Sequence, residues 1–370
     1  MRAICRNTNK PSTTEDNYMQ SNNHLVIMAG GVGSRFWPMS SEETPKQFLD
    51  VLGTGRSLIQ MTYDRFRDVC PTENTWVVTS KNYFEQVHSQ LPDIPVENIL
   101  LEPCRRNTAP CIAYVSWKIK RINPRANIVI TPSDHVVGDV KQFAQVISEC
   151  MDFTAETDSI VTLGVHPTAP ETGYGYIEAD LSYASSRAKN IYRVDSFKEK
   201  PSLDLAKQYI AKNNYFWNAG IFVWSVQTIV NAFRVYQPEM ARKFEALSEK
   251  FGTPGEAKAV EEVYADIESI SVDYAIMEKA EEIFVYPASF SWSDVGTWGA
   301  LRNQIDRDVH GNAVVGNVDL YETNNCIIHC AQNKKVVVQG LDGYIVAEKD
   351  GKLMICKLSE EQRIKLFHKQ

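Results

Sequence analysis

The sequence predicts an α/β domain on a mixed, mainly parallel sheet, followed by a small C-terminal β-helix-like domain. Three observations carry this. From His24 onward, short apolar runs alternate with segments of helical period. The first run, HLVIMAG, is continuously apolar before its glycine, as in a strand buried on both faces. After about His310 the texture changes to short strands separated by Gly, Asn and Asp turns.

The elements follow in order. Residues 1–23, MRAICRNTNKPSTTEDNYMQSNN, are polar and lack the apolar core of a signal peptide. They read as a disordered leader, with Met19 as an alternative start. HLVIMAG is a strand, and SLIQMTYDRFRDV spaces its apolar residues as a helix does. NTWVVTS, ENILLEP and ANIVITPSDH are further strands, and NTAPCIAYVSWKIKRI and VKQFAQVISECMDF are helices. Such alternation implies right-handed crossovers, with a site beyond the carboxyl ends of the strands. The loops after Ala29, Leu101 and Thr131 therefore converge on one cleft. From Ser159 to about Pro287 the pattern is mixed. SIVTLGVHP, GYGYIEAD, IYRVDSFKEKP and YFWNAGIFVW read as strands, and SVDYAIMEKA as a short helix with Ser271 or Asp273 at its amino end. Helical periodicity returns only in SEEQRIKLF. The change of texture places a domain boundary between Arg307 and Gly311, dividing residues 24–308 from 309–370.

Composition bounds the function. The chain has 370 residues, 44% hydrophobic and 23% charged, which is enough for a core without metal or disulfide staples. A net charge of −7 argues against a nucleic-acid binder but leaves room for a local cationic cleft. Nothing approaches a membrane-spanning segment. The eight cysteines are scattered and form no CxxC pair, so they read as buried free thiols in a reducing cytoplasm rather than zinc ligands. Exposed strand edges in the C-terminal module need cover, which favours a homo-oligomer, a dimer first.

Five motifs carry chemistry. In VIMAGGVGSRFWPMSSEETPKQF, Ala29, Gly30, Gly31, Gly33 and Ser34 follow a strand. Glycines let backbone N–H groups turn onto an anion such as phosphate; a tight turn is the alternative. The dinucleotide fingerprint fails, because Phe36 stands where its third glycine belongs, and no Gly-Lys-Ser/Thr of a P-loop follows. What remains is a glycine loop with Arg35, which can fork onto phosphate oxygens, and Lys46, a point charge. In LEPCRRNTAP, Glu102 could accept from the N–H groups of a purine, and Asn107 could serve either edge; Asn107 or Thr108 could equally cap the next helix. In TPSDHVV, Asp134 ends a strand facing the cleft and suits a hard cation such as Mg²⁺, with His135 structural or in support. In TGYGYIEAD, FKEKP and WNAGIF, Gly173 and Gly175 let backbone press on a ring, while Glu199 accepts from hydroxyls. Lys200 offers a cation to a phosphate, and Asn218 is an amide that needs a partner inside an apolar strand. In SWSDVGTW, Asp294 forms an Asx-turn or completes a metal site with Asp134.

The ordered set of motifs, from MAGGVGSRFWPMS and PKQF through EPCRRNTAP, PSDH, TGYGYI, FKEKP, WNAGIF and SVDYAIMEKA to WSDVGTW, resembles the mannose-1-phosphate guanylyltransferases. The resemblance runs from about Leu25 to the C-terminus. It implies a Rossmann-like nucleotidyltransferase domain and transfer of GMP from GTP to α-D-mannose 1-phosphate, with Mg²⁺ and release of pyrophosphate. By the same resemblance, the glycine loop and Arg35 bind the triphosphate, and Lys46 steadies charge at the reacting phosphate. Asp134 and Asp294 hold the metal. Glu102, Asn107 and Thr108 lie near the guanine. Gly175, Glu199 and Asn218 contact mannose, with Lys200 on its phosphate. Many bacterial relatives carry Gly-Arg-Asn where this chain reads Arg105-Arg106-Asn107. Relatives with two activities add an isomerase domain after the β module, so the second activity is expected to be absent here. The alternatives are a related enzyme of other base or sugar specificity, or a non-catalytic nucleotide-sugar sensor. A dehydrogenase is disfavoured by the glycine spacing.

Overall fold

A computed structural model describes residues 22–185 and 187–367. Most of the expected leader lies outside the described residues, but Asn23, its last residue, already opens the first strand. The large sheet contains β1 (Asn23–Ala29), β2 (Thr75–Ser80), β3 (Ile99–Glu102) and β4 (Asn127–Pro132). Its other strands are β6 (Ile160–Val165), β7 (Tyr176–Ala184), β8 (Tyr192–Lys198), β9 (Tyr215–Ser225) and β10 (Ile283–Ala288). A separate two-stranded ladder pairs β5 (Val136–Val137) with β11 (Trp292–Ser293). The helices are α1 (Leu58–Asp64), α2 (Phe84–Gln90), α3 (Thr108–Ile122), α4 (Val140–Ala155) and α5 (Leu203–Ala211). They continue with α6 (Val226–Tyr236), α7 (Pro238–Ser248), α8 (Glu256–Ala265) and α9 (Trp298–Arg302).

The strand order is β3-β2-β1-β4-β9-β6-β10-β8-β7. The half from β3 to β4 is parallel, as is the β6–β10 pair. Strand β1 shows why such strands are apolar throughout. Val26 packs into the cluster containing Ile112 of α3 and Phe233 of α6, whereas Leu25 and Ile27 pack into the opposite cluster with Phe143 and Ile147 of α4. Both faces are covered, so no position can be polar without a partner.

Strand β9 runs antiparallel between β4 and β6. This reversal matters for the site. The start of β9 lies where β4 and β6 end, so Asn218 and Gly220 meet the carboxyl ends of the parallel strands. The β6–β9 register shifts between Thr162 and Gly164, opposite this stretch. The bulge leaves Asn218 half-buried at the cleft rather than sealed in the sheet.

After α9 come β12 (Ala313–Val315), β13 (Asn317–Tyr321), β14 (Ile327–His329), β15 (Lys335–Gln339), β16 (Tyr344–Lys349) and β17 (Lys352–Lys357). Strands β12, β14 and β16 stack in parallel, as do β13 and β15 beside them, while β17 folds back antiparallel on β16. Parallel rungs alternating between two sheets form the expected β-helix-like domain. A short helix, α10 (Ile364–Phe367), ends the described chain.

Three local expectations change. SLIQMTYDRFRDV stays helical only to Asp64, then continues as turns. SVDYAIMEKA forms a single π turn, Asp273–Met277, not an α-helix. Most of SEEQRIKLF lies in a 3₁₀ stretch, Leu358–Arg363. All seven cysteines among the described residues are free, and only Cys104 is exposed.

Candidate active site

The glycine loop is held from below. The Thr79 hydroxyl donates to the Ala29 carbonyl (2.8 Å), and the Gln47 amide donates to the carbonyls of Ala29 (3.3 Å) and Gly31 (2.9 Å). The Lys46 N–H closes the loop onto Val32 O at 3.1 Å. With carbonyls tied down on this side, the loop's outer face is left to N–H groups and to Arg35, whose side chain is exposed. Gln47 escaped sequence reasoning; its signal was a polar residue beside Lys46 in an otherwise apolar turn.

Gly33 is required twice over. Its φ of 72° suits glycine, and a Cβ there would fall 2.5 Å from Lys46 Cβ. Gly33→Ala is expected to cost about 1–3 kcal/mol from backbone strain and to displace Lys46. A urea denaturation midpoint equal to wild type would contradict this.

Lys46 is almost fully buried, with 3% of its side chain exposed. Its ammonium meets the Asp134 carboxylate (2.7 Å) and donates to the carbonyls of Asp294 (2.9 Å) and Val295 (3.0 Å). Three protein oxygens thus surround the cation that the resemblance assigned to phosphate. Lys46 ties together the three loops that build the cleft. Val295, a β-branched residue, sits at φ 44°, a strained conformation that this grip helps to hold.

The β5–β11 ladder brings the two acidic residues together, since Ser293 pairs with Val136 and Trp292 with Val137. Asp134 and Asp294 therefore line one cleft of about 340 Å³ with Gly33, Ser34, Arg35, Phe36 and Lys46. Burial pushes the Asp134 carboxyl up, but the Lys46 ammonium, aided by His135 and hydrogen bonds, holds it below its ordinary value. Asp294 Oδ1 accepts from the Tyr174 hydroxyl (2.8 Å) and from Gly296 N–H (2.9 Å), so the Asx-turn forms. Tyr174 stands between Trp217 and Trp292, with ring centroids 5.1 and 5.6 Å away. It was legible only as an aromatic between two glycines. Burial lowers the His135 imidazole below its ordinary value, against the pull of the Asp134 and Asp294 carboxylates. No group of three or more His, Cys, Asp or Glu among the described residues could hold a metal alone. Two carboxylates in a phosphate-sized cleft fit Mg²⁺, which takes few protein ligands and completes its shell with water and phosphate oxygens.

A second cleft of about 180 Å³ adjoins the first, sharing His135 and Asp294. Gly175, Glu199 and Asn218, which the resemblance assigns to the sugar, line it together. A Cβ on Gly175 would fall 2.6 Å from Glu199 Oε2, so only glycine lets that carboxylate lie against the backbone. Glu199 pairs with Lys200. Lys200 does not itself line the cleft. The Asn218 amide finds protein partners: Oδ1 accepts from Thr162 (3.0 Å) and Gly220 N–H (3.1 Å), and Nδ2 donates to Asp273 Oδ1 (3.0 Å). Asp273, read from sequence only as a possible cap, is therefore part of the wall. Burial, then the nearby Glu199 charge, raise its carboxyl to about 6. Ser271 caps the turn instead, accepting from Tyr274 N–H at 3.4 Å.

The base-loop residues divide. Asn107 caps α3, accepting from Thr108 N–H at 2.9 Å, and its side chain is exposed. Thr108 accepts from Val272 N–H (2.9 Å) and lines the second cleft, not the glycine-loop cleft. Arg105 donates to the Tyr83 hydroxyl (3.0 Å), and Arg106 donates to the carbonyls of Tyr264 (2.9 Å) and Ala265 (3.2 Å) at the end of α8. Both arginines anchor the loop. Glu102 is buried, accepts from Tyr264 Oη (3.0 Å), and points its other oxygen toward Gly30. Burial raises its carboxyl to about 7, against the pull of Tyr264 and Arg105. A raised folded-state value means the native state binds the extra proton, so stability is lost as pH climbs from about 4.5 to 7. Glu102→Gln is expected to stabilise the fold at pH 8 by up to about 3 kcal/mol and far less at pH 5. Equal gains at both pH values in urea unfolding would refute the raised value.

The chain is similar to known proteins over most of its length. The nucleotidyl transferase family profile matches residues 24–310. A mannose-1-phosphate guanylyltransferase of Escherichia coli is 32% identical over 92% of this chain and 74% of its own length. The alginate biosynthesis protein AlgA of Pseudomonas syringae is 34% identical over 92% of this chain and 70% of its own. A crystal structure from Thermus thermophilus, described as a mannose-1-phosphate geranyltransferase, superposes with a TM-score of 0.83 at 32% identity, covering 93% of this chain and 98% of that one. No helix among the described residues is long and apolar enough to cross a membrane. The chain belongs to the nucleotidyl transferase family, among the mannose-1-phosphate guanylyltransferases.

Proposed function

We propose that the protein transfers GMP from GTP to α-D-mannose 1-phosphate, giving GDP-mannose and pyrophosphate in the cytoplasm. The observation that carries this is the pair of adjoining clefts with Asp294 in the wall of both. One is lined by the glycine loop and cations, the other by hydrogen-bonding groups suited to a sugar. The names of the relatives supply the base and the sugar.

A phosphate oxygen of mannose 1-phosphate attacks the α-phosphorus of GTP. The new P–O bond forms as the bond to the bridging oxygen breaks, and pyrophosphate leaves with the electron pair. The acceptor is already ionised near neutral pH, so neither a protein nucleophile nor a general base is needed. The difficulty is bringing anions together, and positioning plus charge neutralisation meets it. The glycine loop's N–H groups and Arg35 hold the triphosphate. Lys46 sets the cleft floor, placing a cation beneath the reacting phosphate while bracing Asp134 and the Asp294 turn. Asp134 and Asp294 would hold Mg²⁺, which supplies charge neutralisation at the phosphates when bound. Glu102 and Asn107 face the base, while Thr108 sits between base and sugar. Gly175, Glu199 and Asn218 receive mannose, Asp273 orients the Asn218 amide, and Lys200, held beside the cleft by its pair with Glu199, is the cation assigned to the sugar phosphate. Residues 24–308 form the catalytic domain, and 309–370 the β-helix-like domain. Exposed Leu353 and Ile355 on its outer strand support self-association as a dimer.

Initial rates of pyrophosphate release with mannose 1-phosphate and each ribonucleoside triphosphate, plus dTTP, test the assignment. Release with GTP alone, dependent on the sugar phosphate, is expected. Preference for another nucleotide would overturn the base assignment, and inactivity across a panel of sugar phosphates would favour the sensor reading.

A further inference from the structure

The phosphate cleft has a wall that the catalytic motifs do not supply. Lys365, on α10 at the far end of the chain, lines it with Ser34, Arg35 and Asp294. Its side chain is exposed, so the ammonium is free to reach into the cleft.

Its placement is built rather than incidental. Ile364 is fully buried in a cluster with Phe36, Trp298, Val51 and Ile345, which joins the glycine-loop turn to the β module. Glu361, one turn earlier, accepts from Gly299 N–H at 2.7 Å. The module is stitched to the same region elsewhere. Lys349 donates to the Met39 carbonyl (2.8 Å), and His329 Nε2 lies 3.2 Å from the Val51 carbonyl. A buried isoleucine next to an exposed lysine fixes which way the lysine faces.

We propose that Lys365 is a phosphate-binding residue, and that the C-terminal module completes the polyphosphate site by delivering it. The ligand class is the β- and γ-phosphates of the nucleotide, equally the pyrophosphate that leaves. This rests on the proposed reaction for its physiological ligand. The recognition itself requires only a polyphosphate, so it can be tested apart from that reaction.

The probe is inorganic tripolyphosphate with Mg²⁺, its binding to the full chain measured by calorimetry. Lys365→Ala is expected to weaken binding roughly tenfold, as for loss of one charge-assisted contact, with Lys365→Arg restoring most of it. Arg363, two residues away, pairs with Glu360 outside the cleft. Arg363→Ala should leave binding within about twofold, which separates a specific contact from bulk charge. In turnover assays Lys365→Ala should raise KM for the nucleotide more than it lowers kcat. Unchanged tripolyphosphate affinity in Lys365→Ala, or an equal loss in Arg363→Ala, would overturn the proposal. If wild type binds tripolyphosphate through Lys365 yet makes no nucleotide sugar, the reaction assignment fails and the site stands.

Discussion

Asp294→Ala is expected to lower turnover by roughly 10²–10³-fold while leaving the fold nearly intact. The side chain lines both clefts, so its removal takes a charge from the point where the two substrates meet. Its structural duties are small: one hydrogen bond from Tyr174 and one within its own turn. Losing them costs about 1–2 kcal/mol, since both donors lie near water in the open cleft. The discriminating measurement is kcat at saturating Mg²⁺ beside a urea unfolding curve. Wild-type turnover would remove Asp294 from the site, and a collapse in stability would make it a structural residue.

Lys46→Met should behave differently and damage both properties. The ammonium is buried among Asp134 and two backbone carbonyls, so the substitution leaves a carboxylate without its counter-ion and two acceptors without donors. Breaking such a pair costs about 3–5 kcal/mol. The lower end applies here, because a third of the Asp134 side chain reaches solvent. Asp134→Ala is expected to destabilise for the converse reason, stranding a buried ammonium, unlike Asp294→Ala. The double variant Lys46→Met/Asp134→Leu should recover part of the stability but no turnover. Recovery of turnover would show that the pair is structural only. The pH dependence has a definite sign. Lys46 holds the Asp134 carboxyl below its ordinary value, so the pair's contribution is present above about pH 4 and fades as pH falls through the lowered value. Lys46→Met should therefore flatten the acid limb of the stability curve.

The parallel half of the sheet was legible because its strands are apolar on both faces, and strand-end polar residues then have one place to go. That logic puts the glycine loop and Asp134 into one cleft. The direction of β9 was not legible. YFWNAGIFVW is apolar enough to be buried whichever way it runs, and only its pairing with β4 and β6 shows the reversal that carries Asn218 to the cleft. Asn218 itself was read as an amide needing a partner. Its partners, Thr162 and Asp273, are distant in sequence, and no spacing rule connects them. Lys46 stands in the sequence as a candidate cleft cation, but its three oxygen partners come from loops that the β5–β11 ladder brings together. Lys365 was invisible for the same reason: a lysine in a terminal amphipathic segment is ordinary until Ile364 is seen to dock on Phe36.

In the proposed reaction, two adjoining clefts let the acceptor phosphate reach the α-phosphorus directly. The configuration at phosphorus reports this. With the Sp diastereomer of GTP bearing sulfur at the α-phosphate, mannose 1-phosphate and Mg²⁺, ³¹P NMR of the product would show whether that centre inverts. A single in-line displacement predicts inversion. Retention would require a second displacement through an enzyme nucleotide, and would contradict the account.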